Sequence, residues 1–303
     1  MPVKISEKKL LSIGDKKIFD QFLSIKNHEL SPYNFANIYV WKSLFEIFWY
    51  LIDDALCVFF NNSGGCFMYL SPLTANINEN IIKQCFKIMD EYNSNHSLSR
   101  IENVPEKEIG FYQKLGLVQK HKSSDYLYLR TKIAELKGNS YKAKRADRNY
   151  FTKTYKFAYQ PYLKADEQEC ILLLKNWIEN RKLNNQDQLY QYMLDDIFSA
   201  QQIALKNCSE LGLIARVVLI EGKVAGYTFG YELNPDTFCI MFEVVNHQFK
   251  GISQFVFQKF ALEMKAYKYI NTMDDSDLEN LTRVKLSYKP EQLVRNALIT
   301  REL

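Results

Sequence analysis

From residue 45 onward the chain alternates apolar blocks with short polar breaks. The run FEIFWYLI, the pair Asp53-Asp54, ALCVFF, the break NNSGG and CFMYL predict a meander of antiparallel strands. Residues 76–93 then place Ile77, Ile81, Ile82, Cys85, Phe86 and Met89 at helical spacing, with Asn76 or Asn78 available as N-cap. A strand at 99–103, a helix bearing FYQKLG and a strand near 125–130 complete this half. The second half repeats the order: LIARVVLI, a Glu221-Gly222 turn, KVAGYTFGYEL, an Asn234-Pro235-Asp236 turn, and FCIMFEVV. A helix at 252–266, a strand at KYIN and a last helix follow.

The two halves also agree in register. The interval from Ile52 to Asn103 equals that from Ile220 to Asn271, and after an insertion Tyr112, Leu117 and Val118 match Tyr288, Leu293 and Val294. A duplication explains this better than chance likeness. The expected organisation is two tandem lobes, 1–135 and 136–303, each a mixed, mostly antiparallel sheet flanked by helices, an α/β (α+β) class. The aromatics Phe48, Trp49, Tyr50, Phe59, Phe60 and Phe67 read as core.

Composition narrows the class. With 47% hydrophobic residues, 20 Tyr, 20 Phe and only 11 Gly and 7 Pro, the chain is globular and not low-complexity. Apolar runs are cut short, as at Asp53 and Asp54, so none approaches the roughly 20 residues that cross a bilayer. The polar N-terminus is unlike a signal peptide, and a cytoplasmic protein without a transmembrane segment is expected. Six scattered Cys, with no CxxC or Cys/His cluster, read as buried thiols, and no metal is expected. The net charge of +4 is mild, but residues 132–156 hold eight Lys or Arg against Glu135 and Asp147. Lys137, Lys144, Arg145 and Arg148, with aromatics interleaved, suit a nucleic-acid backbone such as tRNA, and a solvated connecting helix predicts the same run.

The meander, the loop Gln248-Phe249-Lys250-Gly251-Ile252-Ser253 and the following helix resemble the GNAT acyltransferase fold. That resemblance implies a donor pyrophosphate held on backbone N–H groups at the helix N-terminus, with Gly251 allowing close approach. The matching loop of the first half has no glycine, so that lobe reads as lacking a donor site. Two longer stretches, residues 125–151 and 269–290, resemble the C-terminal catalytic domain of bacterial phosphatidylglycerol lysyltransferases and their soluble relatives. The matches are Leu136, Lys137, Gly138, Lys144, Arg145, Asn149 and Phe151, then Asn271, Asp275, Leu281, Lys285, Ser287, Tyr288 and Pro290; Met273, Asn280 and Thr282 depart from the pattern. The resemblance implies a tandem GNAT pair, with aminoacyl-tRNA or acyl-CoA as donor.

Acyl transfer needs a base, oxyanion donors and a proton for the leaving atom. Glu243, mid-strand among apolar neighbours, is the candidate base, because an uncompensated carboxylate there should face a cleft or a cation. Period two puts it on one face with Met241 and Val245. Backbone groups near Val244 and Val245 are candidate oxyanion donors. Tyr288 is a candidate proton donor, Asp275 a further catalytic candidate, and Lys285 a partner for a donor phosphate. Ser276 or Asp277 should cap the last helix. The acceptor, an amine or hydroxyl on a small molecule, lipid head group or peptide, is expected between the lobes. Two alternatives stay open: a CoA-dependent N-acetyltransferase, and a binding module that has lost catalysis.

Overall fold

The computed structural model describes residues 3–302, which divide into two compact units. In chain order the first has β1 (Lys9–Leu10), α1 (Lys16–Leu23), α2 (Phe35–Tyr39), β2 (Glu46–Ile52), β3 (Ala55–Asn62), β4 (Gly65–Met68), α3 (Glu79–Tyr92), β5 (Arg100–Pro105) and α4 (Ile109–Lys114). Strand β6 (Val118–Leu129) leaves this unit after Asp125. The second unit continues with α5 (Arg130–Glu135), α6 (Lys142–Thr154), β7 (Phe157–Pro161), α7 (Glu167–Asn184), α8 (Gln188–Lys206), β8 (Ile214–Ile220), β9 (Lys223–Asn234), β10 (Thr237–Val245), α9 (Ile252–Glu263), β11 (Tyr269–Asn271) and α10 (Glu279–Ser287). The last strand, β12 (Gln292–Thr300), belongs to the first unit from Leu293 onward.

Both units are mixed sheets flanked by helices, as the repeated pattern predicts. The first has strand order β1-β2-β3-β4-β5-β12 and the second β6-β11-β10-β9-β8-β7. In each, one hairpin after another is antiparallel, and one parallel pair, β4 with β5 or β10 with β11, marks the crossover through a helix. The halves do not separate at residue 135. Residues 126–135 lie in the second unit, where Leu127, Tyr128 and Leu129 pair with β11, and 293–303 lie in the first, where β12 pairs with β5. Each half's last strand thus completes the sheet that the repeat assigns to the other, and β12 is a strand the pattern reading did not pick out.

Local chemistry explains the hairpins. Glu221 and Gly222 both have positive φ, 52° and 77°, between the paired residues Ile220 and Lys223, the two-residue turn whose twist suits adjoining strands. Asn78 caps α3 by accepting from the Ile81 N–H at 3.0 Å. In the first unit, Phe48 and Phe59 stack on each other in a core with Ile82, Cys85 and Met89 of α3, while Trp49, pointing the other way, meets Phe19 of α1. In the second unit α9 covers one face, with Ile252, Phe255 and Val256 against Val218 and Val245. Tyr227 faces the opposite side and donates to Gln201 of α8 at 2.9 Å. Helix α7 carries no single apolar stripe and so leaves no periodic signal in the sequence: Leu173 and Leu174 are buried, whereas Leu172 is 57% exposed. All six cysteines are buried thiols.

Candidate active site

The second unit's site starts from a divergence of strands. Parallel pairing of β10 with β11 covers Thr237–Cys239, matched to Tyr269, Ile270 and Asn271, and β10 then runs on beside β9. A register shift between Ile240 and Phe242 resets the alternation. Glu243 therefore continues the row of Phe238 and Ile240, and not that of Met241 as strict alternation predicts. Val245, on the same face, packs under α9. Directly opposite Glu243 stands Thr228 of β9. The Glu243 Oε2 and Thr228 Oγ1 atoms are both shut off from solvent with no hydrogen-bond partner among the described residues, although Glu243 as a whole keeps part of its surface accessible. Burial alone pushes the Glu243 pKa up to about 8, and no cation offsets it. Of the two expected surroundings, a cleft or a cation, the cation is missing among the described residues, and burial favours the neutral form of the carboxyl.

Tyr288, the C-cap residue of α10, is 7% exposed. Burial, then the charge of Glu243, raise its pKa, so the phenol stays protonated. The Lys144 Nζ of α6 lies 4.3 Å from the centre of its ring, Phe257 of α9 meets it edge-on at 4.8 Å, and the Tyr141 hydroxyl donates to its carbonyl at 2.8 Å. Lys144 is itself half-buried, and burial lowers its pKa. Tyr288 thus lies against Lys144 of α6 and feels the charge of Glu243 of β10. Strand register carried a signal for Thr228: counting outward from the Asn234–Thr237 pair leads to it, because the two intervening irregularities cancel.

The loop before α9 has a different explanation from the expected one. Gly251 is the N-cap of α9 with φ +87°, and a Cβ there would lie 2.0 Å from the Asp147 carbonyl oxygen and 3.1 Å from Phe151 Cβ. The glycine lets α6 cross the start of α9 at backbone distance. The space a phosphate would use on that side holds a carbonyl oxygen. Lys250 reaches the Tyr150 ring at 5.2 Å, the Gln248 N–H donates to Asn246 Oδ1 at 3.0 Å, and the Ile252 N–H to the Phe249 carbonyl at 3.2 Å; Ser253 is part-exposed. Val244 and Val245 are buried and paired with Tyr227 and Gly226.

Other expected residues are engaged locally. The Lys285 ammonium donates to the carbonyls of Thr272 at 2.5 Å and Met273 at 3.0 Å, fastening the end of β11. Arg145 donates to the carbonyls of Leu136 and Gly138, where α5 ends in the left-handed conformation and its last carbonyls need donors. Arg148 has a buried Nε without a partner among the described residues, whereas Lys137 is exposed and pairs with Glu135 at 2.8 Å. Of the four expected basic residues, Lys144, Arg145 and Arg148 are thus engaged within the unit and Lys137 is exposed. Asp275 lies in a tight turn assigned to the first unit, where its Oδ1 accepts from the Asp277 N–H at 3.3 Å. Neither Ser276 nor Asp277 caps α10: the N-cap is Leu278, and those two residues hold positive φ in the turn. Among the described residues no group of three or more His, Cys, Asp or Glu could hold a metal.

The C-terminal domain of phosphatidylglycerol lysyltransferase, as a family, matches residues 24–297. The chain belongs to this family. Its fold is similar to that of a conserved protein of unknown function from Bacteroides thetaiotaomicron VPI-5482, at TM-score 0.87 and 24% identity over 97% of this chain and 99% of that one. The L-PGS of Bacillus licheniformis matches at TM-score 0.65 and 14% identity, over 95% of this chain and 92% of that one. A tandem GNAT protein from the clavulanic acid biosynthesis pathway matches at TM-score 0.53 and 10% identity, over 98% of each chain. No curated protein matches the sequence. Family and fold together support a transferase role within the phosphatidylglycerol lysyltransferase C-terminal family. No helix among the described residues is long and apolar enough to cross a membrane.

Proposed function

We propose that this member of the phosphatidylglycerol lysyltransferase C-terminal family transfers an aminoacyl group from aminoacyl-tRNA to an amine or hydroxyl acceptor. The observation that carries this reading is Glu243, a buried, unpaired carboxyl beside Tyr288, on the stretch of β10 that β11 no longer accompanies. The nucleophile X–H attacks the ester carbonyl, forming an X–C bond; Glu243, in its ionised form, takes the proton, and collapse breaks the C–O bond to the ribose. The same carboxyl then returns the proton to the leaving oxygen. A group with a pKa of about 8 is matched to both transfers near neutral pH, since it is a stronger base than an ordinary carboxylate and is still an acid. Tyr288, held protonated, donates to the developing oxyanion together with backbone N–H groups near Val244 and Val245.

Acyl-CoA is the second donor, favoured by the glycine-bearing loop at the N-terminus of α9. The Asp147 carbonyl against Gly251 places an acceptor where a pyrophosphate needs donors, and this ranks CoA below aminoacyl-tRNA. The test is thermal stability with CoA, acetyl-CoA and charged total tRNA, followed by transfer from labelled aminoacyl-tRNA to lipid, peptide and small amine acceptors. A salt-sensitive shift with tRNA and transfer lost in Glu243→Gln support the proposal. A saturable shift with CoA alone moves the assignment to acetyl transfer, and no shift with any donor leaves a binding module.

A further inference from the structure

The row of side chains that holds Glu243 runs on across the sheet. Glu243 of β10 stands opposite Thr228 of β9, and Thr228 opposite Arg216 of β8, so all three lie on the face that α9 covers. The cation at the far end of this row is committed elsewhere: the Arg216 Nε donates to Glu263 of α9 at 2.7 Å, and its Nη1 to the Ala215 carbonyl at 2.9 Å. Thr228, between the two, is fully buried, and its hydroxyl has no partner among the described residues. Valine has the same shape and would leave no polar group unpaired on a face shared with Val218 and Val245. The other titratable groups that feel Glu243 are Tyr288 of α10 and Tyr159 of β7, both phenols kept protonated by burial. Neither stands beside Glu243 in the strand ladder, since Tyr159 pairs with Val218 of β8.

We infer that Thr228 is a positioning residue for Glu243, its hydroxyl donating to the carboxylate whenever that group is ionised. The inference rests on the acid-base role of Glu243 proposed above. Residues directly opposite in an antiparallel pair have Cβ atoms about 4.5–5.5 Å apart, which a hydroxyl on one and a carboxylate on the other can span. The methyl and hydroxyl of threonine are close in size, so a turn about χ1 exchanges them within the same space, and no existing hydrogen bond of the hydroxyl is broken. The donor matters to one protonation state only. A neutral carboxyl carries its own proton, whereas the carboxylate can only accept, and a bond made to the charged form favours that form. Held through its buried Oε2, the carboxylate keeps Oε1 for the proton of the acceptor.

The experiment compares Thr228→Val with Thr228→Ser in the full chain through two readouts. Infrared titration of the carboxyl band that Glu243→Gln removes needs no substrate. In Thr228→Val the midpoint of that band should rise by about one pH unit or more, and in Thr228→Ser it should return toward the original value. The second readout is the pH profile of transfer from labelled aminoacyl-tRNA. At pH 7 kcat should fall about tenfold in Thr228→Val with KM unchanged, recover at higher pH, and be restored in Thr228→Ser. Thr228→Val should melt no lower than the original chain, because a buried unpaired hydroxyl gives way to a methyl. Thr228→Ala removes the same donor with less bulk and takes its place if the valine variant does not fold. An unmoved midpoint, or a loss of kcat that serine does not restore, overturns the inference. A midpoint that moves in a chain that transfers nothing upholds the contact and refutes the reaction, so the two failures are told apart.

Discussion

Tyr112 and Tyr288 hold matching places in the two halves of the sequence, yet their surroundings differ in kind. In the first unit the Tyr112 hydroxyl is joined to Ser71, which is joined to Glu108, and on β5 of the same unit Glu102 is held by Lys122 at 2.6 Å and Arg100 at 2.8 Å. In the second unit Tyr288 has for its neighbour Glu243, whose buried oxygen has no partner among the described residues, as has the oxygen of Thr228 opposite. Burial opposes charge at both carboxyls. For Glu102, Lys122 and Arg100 outweigh it and the pKa falls, whereas nothing outweighs it for Glu243 and the pKa rises. A buried polar group left unpaired costs stability, so its retention points to use by a ligand or a reaction.

The largest effect that can break this comparison is on turnover. Glu243→Gln should lower transfer by about a hundredfold or more while the fold persists, the scale of a lost acid-base group. Retained transfer would remove Glu243 from the mechanism. The same variant should change pH dependence. As pH rises from about 4.5 the unfolded chain gives up the Glu243 proton, whereas the folded chain holds it until about 8, so stability declines across that window. Denaturant titrations at several pH values should show this decline flattened in Glu243→Gln.

Next in size is Gly251→Ala, which sets a side chain against the Asp147 carbonyl at positive φ and should cost about 2 kcal/mol or more. If stability is unchanged and only donor affinity falls, the glycine serves a ligand and not the crossing of α6. The tyrosines can be compared directly through Phe variants. Tyr112→Phe should cost about 1 kcal/mol of stability, through the lost Ser71 bond, and Tyr288→Phe should slow transfer more than it lowers the melting temperature. The smallest effect is an opposite pH slope from the first unit. The unfolded chain binds a proton at His28 below about 6.5 and the folded chain only near 4, so stability declines as pH falls through that range, and His28→Gln should reduce the decline.

Much of this is legible in the sequence. The hairpins, the Asn78 cap and the doubled plan follow from alternation, turn residues and spacing, which act over a few residues. Glu243 stood out because a carboxyl amid Met241, Phe242, Val244 and Val245 has no cheap place to go. Its face was misjudged, since a bulge costs one residue of register and leaves no mark in the apolar pattern. The basic segment was legible as a helix, but not that Arg145 closes α5 or that Lys144 lies over Tyr288.

By itself, then, the sequence determined the two strand meanders, the helices α3 and α9, the family and the oddity of Glu243, all consequences of local periodicity and residue type. Only the tertiary structure decided which last strand completes which sheet, why residue 251 is glycine and how Lys26 and Ser71 come to meet on Glu108. The physical reason is common to all three. Each depends on pairing or close packing between segments distant in the chain, and that is set by where a whole sheet and its helices exclude water, not by any short run of residues.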